Sequence, residues 1–245
     1  MALFDVFLGA LLVLSATSAG SLLIMAFRRI GPLGYSILLS LSAGVMAYSA
    51  IEMLGASNSS SGAITAVSGL LIGVVAIFLM DRLLPHAHAR IRGREIEASK
   101  KKAVMLAGAI TIHNVPEGFA VASAFASSSP LGWLVTASIA LQDIPEGFMI
   151  SAPLACYGVE RKRALFFGCF SGFVEAVAAL TGYFLLSLLS ALTPFGLAFS
   201  AGAMAYVVLA DILPDSFARG NRRAAGVSFI AGAACAFLLA KVFLV

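Results

Sequence analysis

Charge is what this sequence has least of: only 11% of its 245 residues are Asp, Glu, Lys or Arg, against about a quarter in an ordinary soluble domain. Such a chain cannot cover itself with polar surface, so its expected solvent is lipid. Cysteine is almost as scarce. Cys156, Cys169 and Cys235 each lie inside an apolar run, with no CxxC pair. That excludes a disulfide framework and a thiolate zinc knuckle, and it predicts three small buried hydrophobes. No Lys or Arg precedes the first apolar run, so that run is not a cleaved signal with a basic start. The apolar runs last about twenty residues, a helix-length crossing of a bilayer, which excludes the ten-residue alternation of a membrane β-barrel.

What is present is 60% hydrophobic residues arranged as eight spans. They run Leu3–Phe27, Leu33–Leu54, Ile64–Leu84, Ala103–Ala126, Leu131–Tyr157, Ala164–Leu192, Phe195–Phe217 and Ala224–Val245. The breaks carry turn chemistry: Gly31-Pro32, the serines before Gly62, Ser127–Pro130 and Thr193-Pro194. The fold class expected is therefore all-α, a polytopic membrane protein whose residues 1–245 form a single transmembrane domain.

Basic residues sort by side. All but Lys241 of the 16 Lys and Arg fall in alternate connections: Arg28–Arg29, Arg82–Lys102, Arg161–Arg163 and Arg219–Arg223. By the positive-inside rule that side is cytoplasmic, the protein sits in the cell membrane, and both termini lie outside. The net charge of +4 thus answers to lipid headgroups and excludes nucleic acid. The one long loop, Pro85–Lys102, is cytoplasmic and carries His86 and His88, either a solvated basic loop or a weak metal-handling pair.

Two internal repeats stand out. Ser42-Ala43-Gly44-Val45-Met46-Ala47-Tyr48 in span two matches Ser200-Ala201-Gly202-Ala203-Met204-Ala205-Tyr206 in span seven. Five crossings separate them, so the repeat is inverted and relates spans one to three with six to eight. His113-Asn114-Val115-Pro116-Glu117-Gly118 in span four likewise matches Gln142-Asp143-Ile144-Pro145-Glu146-Gly147 in span five. The plan is three plus two plus three helices, an inverted-repeat arrangement typical of transporters.

The second pair carries the chemistry. At 1.5 Å per residue both polar clusters fall roughly 15–21 Å into the membrane, level with each other. Polar groups there mark function. His113 with Glu117, and Gln142 with Glu146, are spaced i, i+4 and share a face, while Asn114 and Asp143 turn about 100° away. Two cations fit side by side, with Glu117 and Glu146 shared. Pro116 and Pro145 free the carbonyls of Ile112 and Leu141. Three carboxylates repel in low dielectric, and a divalent cation removes that penalty. One imidazole among carboxylates and amides suits zinc, and also Fe2+ or Mn2+. Glu175 in span six and Met46 in span two lie at the same depth, Met46 reading equally as a packing residue. Asp211 and Asp81 lie closer to the cytoplasm and form a candidate exit path, while Glu52 stands near the outer end of span two.

The paired HNVPEG and QDIPEG segments in consecutive helices resemble the ZIP family of zinc- and iron-regulated transporter-like proteins, across nearly the whole chain. The resemblance implies uptake of zinc, or of Fe2+, Mn2+ or Cd2+, into the cytoplasm through a binuclear site. It implies His113, Asn114, Glu117, Gln142, Asp143 and Glu146 as ligands, with Met46 and Glu175 following by helix position. Here the metal is a transported substrate, the chain is not an enzyme, and a homodimer is compatible with the plan. Gln142 stands where many members carry His, and the long loop has only two histidines. The rival readings are an intramembrane metalloenzyme, which lacks its HExxH or Glu-x-x-His signature, and a passive metal-selective channel.

The charge asymmetry generates the first test. Cysteines introduced at Ser59 and Ser99 are expected to label from opposite sides of the membrane. Labelling of both by an impermeant reagent added outside would refute the eight-span topology.

Overall fold

The structure is a computed structural model that describes residues 2–27, 31–89, 98–218 and 220–244. Among these residues eight long helices appear and no strand: α1 Ala2–Ala26, α2 Pro32–Ser61, α3 Ala63–Ala89, α4 Ala98–Ser127, α5 Ser129–Cys156, α6 Arg161–Leu188, α7 and α8. α7 starts at Thr193, runs α-helical to Val207, passes through a π turn at Val208–Ile212 and continues as Leu213–Ala218. α8 is Arg222–Phe243. The expected turns act as starts. Pro32 and Pro194 open α2 and α7, where their missing N–H costs nothing. Ser128 caps α5 by accepting from the Leu131 amide.

Two boundaries differ from the sequence reading. α2 runs on through the serine cluster to Ser61, because the Ser60 and Ser61 hydroxyls donate to carbonyls one turn back and stay compatible with the helix. α3 continues through Pro85 to Ala89 and α4 begins at Ala98, so most of the expected Pro85–Lys102 loop is helical. The side chains of His86 and His88 lie outside the described residues.

Six helices are long and apolar enough to cross a membrane: α1, α2, α3, α6, α7 with its preceding turn, and α8. Their outward faces are apolar, with Phe4, Ile51, Ile64, Phe166, Val227 and Ile230 all exposed. An aqueous protein does not present such a continuous surface. Lipid also corrects the cysteine reading: Cys156 and Cys235 are exposed and Cys169 is half-buried. In a lipid solvent an apolar run has no obligation to bury every member. α4 and α5, which carry the polar clusters, fall outside the six and pack among them, α4 on α6 and α7, α5 on α1 and α2.

The helix contacts are unchanged by exchanging α1 with α6, α2 with α7, α3 with α8 and α4 with α5. α1 packs on α5 as α6 packs on α4, and α2 packs on α8 as α7 packs on α3. α2 and α7 are antiparallel, since Ser57 near the end of α2 bonds the Pro194 carbonyl at the start of α7. The exchange holds residue by residue. A Cβ on Gly44 would overlap the Phe229 carbonyl of α8, and one on its counterpart Gly202 would overlap the Leu70 carbonyl of α3. Gly73 against Phe199 is matched by Gly232 against Leu41, and Gly118 against Glu175 by Gly147 against Thr17. Small residues at these crossings let backbones touch, which is how helices associate in lipid without a hydrophobic drive.

The matching segments also extend beyond Tyr48 and Tyr206. Glu52-Met53-Leu54-Gly55-Ala56-Ser57 corresponds to Asp211-Ile212-Leu213-Pro214-Asp215-Ser216, with one additional residue before Asp211. The structure absorbs that residue in the π turn, where the Leu213 amide bonds the carbonyl of Val208 five positions back. Downstream register is thereby kept.

These crossings make a stability prediction. Gly44→Ala and Gly202→Ala each push a backbone apart and are expected to destabilise by about 1–3 kcal/mol, the usual cost of overpacking. Gly226 in α8 has nothing within reach of an added Cβ. Gly226→Ala is therefore expected to be neutral or to stabilise by up to about 1 kcal/mol. Thermal unfolding in detergent checks both, and equal losses at all three positions would remove the close-approach argument.

Candidate metal centre

α4 and α5 form an antiparallel hairpin whose edge-to-face pair, Phe125 and Trp133, lies next to the turn. Both helices remain α-helical through Pro116 and Pro145. The hairpin therefore brings the two polar clusters level. One carboxylate oxygen from each of Glu117, Asp143 and Glu146 lies within 4.8 Å of the other two. Gln142 Nε2 donates to Glu117 Oε1 at 2.9 Å, tying α5 to α4. Glu175 of α6 is fully buried and within electrostatic reach of all three carboxylates.

The surroundings are dry. Asn114, Glu117, Gln142, Asp143 and Glu175 are 0–1% exposed, and Glu146 is 6% exposed. Yet Asn114 Oδ1, Glu117 Oε2, Gln142 Oε1, Glu146 Oε1 and both carboxylate oxygens of Asp143 and of Glu175 meet no protein donor. Native proteins rarely leave buried oxygens unpaired. At 4.8 Å and an effective dielectric near 20, each carboxylate pair repels by about 3.5 kcal/mol. Three such pairs total about 10 kcal/mol, as large as the whole stability of a typical domain. The arrangement therefore calls for a cation, and its all-oxygen character suits a divalent one.

Several residues hold the hairpin in place. Ser21 of α1 donates to the Gly147 carbonyl at 3.0 Å, and Ser42 of α2 donates to the Gln142 carbonyl at 3.4 Å. Thr17 of α1 is the repeat counterpart of Glu175, as their equivalent crossings against Gly147 and Gly118 show. The three hydroxyls carry no pattern that separates them in sequence from ordinary helix-packing serines and threonines.

A second group forms one step along α4. His113 Nε2 lies 3.5 Å from Asp81 Oδ1 and 3.6 Å from Asp211 Oδ2. One ligand atom from each of these three residues lies within 4.8 Å of the others. Their side chains are 11%, 25% and 42% exposed, so this group opens outward while the carboxylate cluster is sealed. The imidazole thus points away from Glu117, and the i, i+4 spacing of the two does not bring them into one ligand group. Sequence reasoning treated Asp81 as a helix end. Its partner was hidden because α3 and α4 are joined through the long basic segment, and only the fold brings Asp81 to His113. Met46 is 1% exposed and sits in the apolar core beside its repeat counterpart Met204.

Comparison with known proteins now bears on the geometry. A family model described as ZIP zinc transporter matches residues 85–240. The chain belongs to the ZIP zinc transporter family. It is 40% identical over 182 residues to the zinc transporter GufA of Myxococcus xanthus, covering 73% of this chain and 71% of GufA. It is 35% identical over 239 residues to the zinc transporter ZupT of Chlorobium chlorochromatii (strain CaD3), covering 89% of each. Similarity to the zinc transporter ZIP11 of Xenopus tropicalis reaches 44% over 142 residues, 55% of this chain and 42% of that protein. The ZIP match spans α4, α5 and α6, which supply the sealed cluster. ZIP relatives are transporters and not enzymes, so the metalloenzyme reading falls away.

Proposed function

We propose that this ZIP protein carries divalent transition-metal ions, zinc first, across the cell membrane into the cytoplasm through the sealed cluster between α4 and α5. The observation that carries the reading is the convergence of buried oxygens from Glu117, Asp143, Glu146 and Glu175 with no protein donor to meet them. Glu117 and Glu146 are the shared ligands of two neighbouring ions. Asn114, Gln142 and Asp143 complete the two coordination sets from the same hairpin. Zinc leads because the relatives are named zinc transporters. Fe2+, Mn2+ and Cd2+ are the other substrates this donor set would take.

His113, Asp81 and Asp211 supply the next station. An imidazole with two carboxylates is a richer zinc site than oxygens alone, and its greater exposure suits release. With the basic connections in the cytoplasm, Arg82 next to Asp81 puts this group on the cytoplasmic side, and the sequence of stations is inward. Both termini then lie outside.

Purified protein in vesicles tests the reading with a panel of metals. Glu117→Ala and Glu146→Ala are each expected to lower zinc content and flux at least as much as the roughly 10–100-fold loss caused by removing an outer-shell partner. Asp211→Ala is expected to slow flux while the sealed cluster keeps its metal. Zinc binding is expected to weaken as pH falls, because imidazole and carboxylates must lose protons to bind. Normal binding and flux in both glutamate variants would defeat the assignment. Flux that saturates with zinc identifies a carrier, and flux that rises linearly with concentration and follows voltage identifies a channel.

A further inference from the structure

The pseudo-two-fold exchange maps the cytoplasmic-side group onto a second place at the opposite end of the bundle. His113 maps onto Gln142 through the shared PEG register, and Asp211 maps onto Glu52 across the π turn. Asp81 maps onto Ala240, since Phe78 and Arg82 correspond to Phe237 and Lys241. The surroundings confirm that correspondence. Tyr206 meets Phe78 edge-on at 6.4 Å and 77°, with the Arg82 guanidinium 4.6 Å above the Phe78 ring. Tyr48 meets Phe237 edge-on at 6.0 Å and 87°, with Lys241 Nζ 5.3 Å above the Phe237 ring.

The same clasp of tyrosine, phenylalanine and cation thus stands at both ends, and its contents differ. Inside the first are an imidazole and two carboxylates. Inside the second are the Gln142 amide, the Ala240 methyl and one carboxylate, Glu52, which accepts a hydrogen bond from Tyr48 at 2.5 Å. The ends also differ in closure. Ser42 bonds the Gln142 carbonyl, whereas the hydroxyl of its counterpart Ser200 meets no partner.

We propose that the outer place is a disarmed copy of the inner site, and that Gln142 and Ala240 are the two residues that disarm it. Zinc is ordinarily held by three or more protein ligands drawn from imidazole, thiolate and carboxylate. Glu52 alone does not reach that number, since the methyl offers no donor and the amide is a neutral one. The ion leaving the sealed cluster therefore finds a second resting place on one side only. The ligand class is a divalent transition metal, and the inference rests on the metal-carrier reading above.

Restoring the missing ligands tests it. Full-length protein carrying Gln142→His and Ala240→Asp, in lipid nanodiscs, is expected to bind one zinc per chain more than wild type in equilibrium dialysis. Adding Glu52→Gln is expected to abolish that gain. No added zinc, or an added zinc that survives Glu52→Gln, overturns the proposal. A second design avoids burying a new charge. In a chain with Cys156, Cys169 and Cys235 replaced by serine, Glu52→Cys with Ala240→Cys is expected to bind cadmium between the two thiols. Cadmium then shields both from maleimide in the pair and neither in the single variants. Equal labelling of the pair with and without cadmium overturns the proposal as well. Neither measurement reads flux. A wild-type protein that moves no metal would defeat the functional reading, while the binding counts would still decide the outer site.

Discussion

Mutual repulsion among Glu117, Asp143 and Glu146 is the constraint to which the rest of this architecture answers. In water three carboxylates this close interact weakly, but here they are nearly fully buried, where screening is slight. Such a cluster holds together only if its backbone is fixed by forces that do not depend on the cluster itself. The hairpin of α4 and α5 supplies that frame. α4 is clamped against α6 at Gly118 and α5 against α1 at Gly147, and in each case the glycine admits a neighbouring carbonyl where any side chain would collide. The frame pays for the charges, and a bound cation would offset them.

The inverted repeat explains why the clamps come in pairs. A fold built from two copies places each solved packing problem twice, so every close crossing of α2 on α8 has its twin in α7 on α3. Function needs the opposite, because a path with identical ends has no chemical direction. The chain departs from its own symmetry at a few positions: Thr17 against Glu175, Gln142 against His113, Ala240 against Asp81, and the extra residue that the π turn absorbs. π turns inside α-helices frequently mark functional sites, and this one sits where Asp211 reaches His113.

Much of the fold was legible from residues alone because lipid imposes simple rules. Backbone polar groups must be satisfied within each span, so apolar runs become helices, and the eight spans appear in order. The level meeting of the PEG segments followed from rise per residue. Boundaries were less legible where polar residues continue a helix, as at Ser57–Ser61, since serine breaks a pattern in sequence yet bonds back to its own helix in structure. The cysteines misled because apolar surroundings in a membrane protein signify either core or lipid.

His113 shows where periodicity reaches its limit. An i, i+4 spacing places two side chains on one face of a helix, but it does not say whether both reach the same ligand. Gln142 holds Glu117 from the opposite helix at 2.9 Å, while Asp81 and Asp211 draw the imidazole toward the open side. Neither aspartate neighbours His113 in sequence, and each arrives from a helix that packs on the hairpin from outside. One residue thereby stands between two groups of carboxylates, close to the sealed one through its own helix and to the open one through space. An ion moving between the two groups must pass a side chain whose two rotatable bonds are the shortest mechanical link in the molecule between the sealed cluster and the solvent.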